Sequence, residues 1–161
     1  RELRTRIDRI ESEAIEAFNT HMAALLDQLE YENIERIWIE STEESVSEGH
    51  RKITEQRFSL HVVRQSDAGT VYEDRIDHLS ESERELVGLV VALAGYLAHD
   101  VQERVPFMLL DSLEMIDGER LVELVTYLEA HVPFLVVVLL PDHAAAFDGT
   151  GTPDHRQITE I

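Results

Sequence analysis

Two apolar runs in the last third of the chain, VPFMLLD at residues 105–111 and FLVVVLL at residues 134–140, constrain the fold more than any other feature. Each is short, continuous and rich in β-branched or aromatic side chains, the pattern expected of a strand buried on both faces. Between them, residues 118–130 set Leu121, Leu124, Val125 and Leu128 on one helical stripe. Strands separated by a whole helix cannot form a hairpin, so they pair in parallel, and the order dictates a βαβ crossover. The chain is therefore of the α/β class.

The rest of the sequence supplies the other layers. LSESERELVGLVVALAGYLAH at residues 79–99 is polar at its start and apolar on nearly every side from Leu86 to Leu97, which predicts a buried helix. IERIWIE (residues 34–40) and RFSLHVVR (residues 57–64) alternate like antiparallel strands. The polar STEESVSEGHRK at residues 41–52 reads as a long hairpin loop or an irregular excursion, and SDAG at residues 66–69 as a turn into a short third strand near residues 70–74. From residue 1 to about Tyr31 one long helix is expected, ended by Asn33. Leu3, Ile7, Ile10 and Ala14 step as a heptad seam, and Phe18, Met22, Leu25 and Leu29 continue one face. Residues 1–17 read as the end of a coiled coil entering a globular domain over residues 18–161. GTGTP at residues 149–153 reads as a loop and HRQITEI at residues 155–161 as a last strand.

Charge limits what such a domain can bind. Against 33 Asp and Glu stand 14 basic residues, of which only Lys52 is a lysine, giving a net charge of -19. That balance argues against generic polyanion binding by these residues. An acidic, lysine-poor surface stays dispersed in strong brine and reads as halophilic, although an ordinary acidic domain has a similar composition. Cysteine is absent, which excludes disulfides, thiolate metal sites and cysteine nucleophiles. The eight histidines are scattered singly and form no metal-binding pair on one helical face. No apolar run is long enough to span a bilayer and the start is charged, so a soluble, cytoplasmic protein is expected.

Two places carry candidate chemistry. Asp111 closes a buried strand, where open α/β sheets bind their ligands, and a hydrophobic strand ending in Asp is the form of a Walker B element whose carboxylate holds the Mg²⁺ shell. Many such strands end in Asp for capping alone. Ser80 and Glu83 form a capping-box pattern at the start of the buried helix. The same helix terminus, with its hydroxyl and free backbone N–H groups, could instead receive a phosphate.

Taken in order, Leu-Ser-x-x-Glu-Arg, buried helix, strand ending in Asp, amphipathic helix and second strand resemble the carboxyl-terminal half of an ABC-type ATPase head. More narrowly, AFNTHMAALLDQLEYENIERIWIE, HLSESERELVGLVVALAGYLAHDV and VPFMLLDSLEMID resemble the structural-maintenance-of-chromosomes (SMC) superfamily, in particular haloarchaeal SMC-related proteins. The resemblance implies a carboxyl-terminal lobe with a long coiled-coil-derived helix, a small antiparallel β region and a parallel βαβ core. It implies that Leu79, Ser80, Ser82 and Glu83 belong to the signature motif facing the γ-phosphate on an opposite head. Asp111 would be the Walker B aspartate and Asp117 the D-loop acid, with a cap of the next helix as the plain alternative.

Several positions depart from the family pattern. The signature's paired glycines are Glu81 and Ser82, and the catalytic glutamate expected after Asp111 is Ser112, leaving Glu114 as the nearest candidate base. The switch histidine falls at Pro141 or Asp142, with His143 a nearby substitute. No phosphate loop occurs, so ATP and Mg²⁺ would be held only together with an amino-terminal half. The implied role is half of an ATP-dependent dimerising head in chromosome organisation or DNA repair, reaching DNA through the full-length protein. The alternatives are a nucleotide-gated clamp with little turnover and a purely structural interaction domain.

Overall fold

The computed structural model describes residues 2–31, 33–48, 51–66, 68–147 and 158. They divide into two compact units, one up to Val101 and one from Gln102.

The first unit begins with α1 (Glu2–Leu29). Its early seam positions Leu3, Ile7 and Ile10 are exposed, whereas Met22, Leu25 and Leu29 are fully buried. The helix therefore changes from an open apolar stripe to a core element along its own length. It stops at Leu29, two residues before the expected end near Tyr31, where Glu30 takes the left-handed conformation with φ 42°.

Strands β1 (Ile34–Glu48) and β2 (Arg51–Gln65) pair antiparallel in register from Ile34 with Arg64 to Glu48 with Arg51. Of the polar stretch expected to be a long hairpin loop or an irregular excursion, residues 41–48 continue β1 and residues 51–52 begin β2. Thr42, Glu43, Glu44 and Ser45 of β1 and Thr54, Glu55, Gln56 and Arg57 of β2 are all exposed, so no apolar alternation marks these residues, and Arg57 pairs with Glu44 at 3.2 Å. Strand β3 (Val71–Asp74) adds to β2 only from Val62 to Gln65, after a turn in which Gly69 takes φ 78°. On the outer edge of β1, the Asn19 amide of α1 donates to the Ile39 carbonyl at 2.9 Å and accepts the Ile39 N–H at 2.7 Å.

Helix α2 (Glu81–Ala98) packs along α1, with Leu86, Val87, Val90, Leu93, Ala94 and Leu97 buried. Gly95 allows the close approach: a Cβ there would lie 3.1 Å from the Phe18 ring.

The second unit holds β4 (Phe107–Leu110), α3 (Gly118–Glu129), β5 (Phe134–Val137) and the single turn α4 (Pro141–Ala144). The two strands pair in parallel, Phe107 with Phe134 through Leu110 with Val137, as the crossover requires. The expectation of burial on both faces is corrected. Met108 and Leu110 are buried with Leu121, Leu124 and Leu128 of α3, but Phe107, Leu109, Phe134 and Val136 are 44–65% exposed. Within this unit a helix covers only one side of the pair, so alternate strand residues have no layer to enter. The expected loop at residues 149–153 and last strand at residues 155–161 lie outside the described residues, apart from Ile158, which has no regular structure.

Candidate functional site

The candidate residues fall into two groups, one in each unit. In the first, Ser80 is the cap of α2, with extended backbone, and the capping box is complete. The Glu83 N–H donates to the Ser80 Oγ at 3.3 Å, and the Ser80 N–H and hydroxyl both donate to Glu83 Oε2 at 2.7 Å. Leu79 is buried beneath the cap, while Ser80, Glu81 and Ser82 face water. Arg84 donates to the Leu79 carbonyl at 3.0 Å.

Glu83 is the one buried charged residue among those described, with its side chain 4% exposed. A buried carboxylate needs a cation. Arg64 of β2 supplies it, donating from Nη2 to Glu83 Oε1 at 2.7 Å and from Nη1 to Asp74 Oδ2 at 3.1 Å. Asp74 in turn pairs with His78 at 2.9 Å and accepts the Arg75 N–H at 2.8 Å. Burial by itself would raise the Glu83 pKa, but the two Ser80 hydrogen bonds and the Arg64 charge outweigh it and hold the carboxyl below its ordinary range. Asp74 is also held low, first by His78, then by the Arg75 N–H and Arg64. Arg64 is raised, chiefly through its hydrogen bond to Asp74.

Arg64, Asp74 and His78 were not singled out from the sequence. A signal existed: Arg64 is two residues after the fully buried Val62, so strand alternation puts it on the core face.

In the second unit, Asp111 follows β4 at its carboxyl end, exposed, with its carboxylate accepting the N–H of Ser112 at 2.8 Å. Ser112 adopts φ 60°, a left-handed backbone that serine rarely takes. Glu114 is exposed, and Leu113 and Ile116 anchor the segment in the core. Asp117 caps α3, its Oδ1 accepting the Arg120 N–H at 3.1 Å. The amino end of α3 lies against the α4 segment: a Cβ on Gly118 would stand 2.8 Å from Ala146 Cβ and 3.8 Å from the His143 carbonyl oxygen. The structure thus brings Asp117 and His143 into one neighbourhood at the backbone level, with the His143 side chain half-buried.

Among the described residues no group of three or more His, Asp or Glu is placed to hold a metal ion by itself. The donor set of the second unit suits Mg²⁺ only as a shared ligand, one exposed carboxylate completing a shell of phosphate oxygens and water. Among the described residues no helix is long and apolar enough to cross a membrane.

No protein-family model matches the chain. It is 55% identical over 156 residues to the Smc-like protein Sph3 of Haloferax volcanii, covering 97% of this chain and 23% of that protein. It is 54% identical over 153 residues to the Smc-like protein Sph2 of Halobacterium salinarum, covering 92% of this chain and again 23% of the relative. The chain therefore spans about a quarter of the length of these relatives. Among solved structures, an Smc head bound to the C-winged helix domain of ScpA aligns with TM-score 0.54 at 17% identity over 86% of this chain and 39% of that one. A structure from work on ATP-driven dimerisation and DNA-stimulated activation of SMC ATPases aligns with TM-score 0.50 at 16% identity, over 85% of this chain and 75% of that one. The resemblance to an SMC-type head is borne out: the chain is similar over nearly its whole length to haloarchaeal Smc-like proteins and shares its fold with part of the SMC ATPase head structures.

Proposed function

We propose that this chain is the carboxyl-terminal half of an ATP-dependent dimerising head, supplying the signature motif through Ser80 and the Walker B carboxylate through Asp111. The observation that carries the reading is the unfinished parallel sheet. Parallel strands occur almost only with both faces covered, yet β4 and β5 leave Phe107, Leu109, Phe134 and Val136 open. A second half bearing the phosphate loop would cover that face and bring ATP to the carboxyl end of β4. The shared fold with SMC heads and the greater length of the relatives support the same completion.

In such a head Asp111 would hold Mg²⁺ through water, and the ion would neutralise phosphate charge. The Asp111 Oδ1 accepts the Ser112 N–H, and the carboxylate keeps acceptor capacity for a metal-bound water. The hydroxyl of Ser80 would reach the γ-phosphate bound to the opposite head, with the amino terminus of α2 favouring the anion. Head engagement would then move the coiled-coil arms that continue the open seam of α1, and contact with DNA and the chromosome belongs to the full-length protein.

Ser112 favours a second reading of turnover. A serine hydroxyl is no general base at neutral pH, so hydrolysis is slow or uses Glu114, and in the limit the head is a nucleotide-gated clamp.

The test uses a head reassembled from this chain and a phosphate-loop half. Ser80→Arg should abolish ATP-dependent dimerisation, measured by light scattering, while leaving nucleotide binding to each head intact. Asp111→Ala should lose Mg²⁺-dependent nucleotide binding within its own head. A mere cap predicts for Ser80→Arg a stability loss of about 1 kcal/mol and normal dimers.

A further inference from the structure

The Ser80 hydroxyl has a single hydrogen, and Glu83 already holds it. Ser80 donates that hydrogen to Glu83 Oε2 at 2.7 Å, and the same oxygen accepts the Ser80 N–H. A γ-phosphate approaching this end of α2 must therefore take the hydrogen from a buried carboxylate, and must do so beside that carboxylate's negative charge. The only cation paired with Glu83 among the described residues is Arg64, which reaches it from β2, an element outside the signature segment. The guanidinium is itself fixed, since its other terminal nitrogen is bound to Asp74, and Asp74 is held by His78 and the Arg75 N–H.

We propose that Arg64 is a positioning residue for nucleotide-dependent head engagement: by drawing charge from Glu83 it loosens the grip of that carboxylate on the Ser80 hydroxyl and removes the repulsion that an unpaired anion would exert on the phosphate. The inference rests on Ser80 as the γ-phosphate contact. A carboxylate that shares its charge with a guanidinium is a weaker acceptor and a weaker local field than a bare one. Phosphate can then win the hydroxyl, while the Ser80 N–H stays with Glu83 and keeps the helix end in place. The pairing also explains how a signature segment with acids at Glu81 and Glu83 tolerates a phosphate: Glu81 points into water, and the charge of Glu83 is offset from behind.

The experiment compares wild type, Arg64→Met, Arg64→Lys, Glu83→Gln and the double variant R64M/E83Q in the reassembled head. The ATP concentration for half-maximal dimerisation is measured in molar KCl well below each melting temperature. Arg64→Met should raise that concentration by about tenfold or more, the scale of losing one charge-assisted hydrogen bond, with nucleotide binding by single heads unchanged. Arg64→Lys should fall between. The double variant should need no more ATP than Glu83→Gln alone, because once the carboxylate is gone no anion remains for Arg64 to offset. A merely structural arginine predicts otherwise: a lowered melting temperature but a wild-type ATP requirement in Arg64→Met, and that result overturns the proposal. Should Arg64→Met not fold, a double variant that folds yet needs about tenfold more ATP than Glu83→Gln overturns it equally. Ser80→Arg is run in parallel. Normal dimers in that variant reject Ser80 as the phosphate contact, whereas their loss together with a wild-type Arg64→Met rejects only the role given to Arg64.

Discussion

Glu83 joins three roles that are usually separate: cap acceptor, buried charge and anchor to a neighbouring sheet. Its carboxyl and that of Asp74 are both held below their ordinary range, so the folded state favours their ionised forms. The unfolded chain takes up protons first as pH falls, and the stabilisation is present above about pH 4 and lost as pH drops through the lowered folded values. Thermal melts at fixed high salt should be nearly level above that point and decline below it, and Glu83→Gln should flatten part of the decline. An unchanged slope in that variant would place the acid sensitivity elsewhere. The capping box was legible because Ser-x-x-Glu is a local pattern. Arg64 was not, because its importance depends on a partner 19 residues away, and only the burial of Val62 beside it on the strand reveals its direction. Ser112 was marked as a departure by its chemistry, but its left-handed backbone has no signature in a serine.

Among the elements, helices read well and strands less so, for a physical reason. Helices α2 and α3 and the second half of α1 each bury a stripe that their own sequence displays, whereas the faces of a strand depend on what else is present. The exposed polar residues 42–45 of β1 and 54–57 of β2 look like loop, and β4 and β5 look doubly buried although α3 covers only one side of them. The glycines of α2 provide a test of how tightly its two sides are packed. A Cβ at Gly88 would meet nothing within 4 Å, so Gly88→Ala should stabilise by about 0.5–1 kcal/mol through helix propensity. At Gly95 the Phe18 ring stands 3.1 Å from the same atom, and Gly95→Val should cost about 1–3 kcal/mol by overpacking the contact with α1. Chemical denaturation of both variants measures the contrast, and equal effects would mean that α1 and α2 are not closely packed there.

For the molecule as a whole, the net charge of -19 sets the conditions under which it folds. Structure should be lost, by far-UV dichroism, on dialysis from molar salt to low ionic strength, as screening lengthens from about 3 Å at 1 M to about 30 Å at 0.01 M. Melting that does not change over this range would remove the argument for adaptation to brine. The chain alone should show no Mg-ATP affinity by titration calorimetry, since no phosphate loop occurs in it. Strong salt also has a cost that charge cannot meet: with repulsion screened and apolar burial strengthened, a bare strand edge becomes a template for stacking one copy on another. The amide of Asn19, bracketing both polar groups of Ile39, blocks the outer edge of β1 at that residue by hydrogen bonding alone, a guard that screening does not weaken. Asn19→Ala should therefore leave the protein dispersed at the lowest salt at which it still folds and drive edge-to-edge assembly as the salt rises further, a solubility defect that grows with the very condition that holds the fold together.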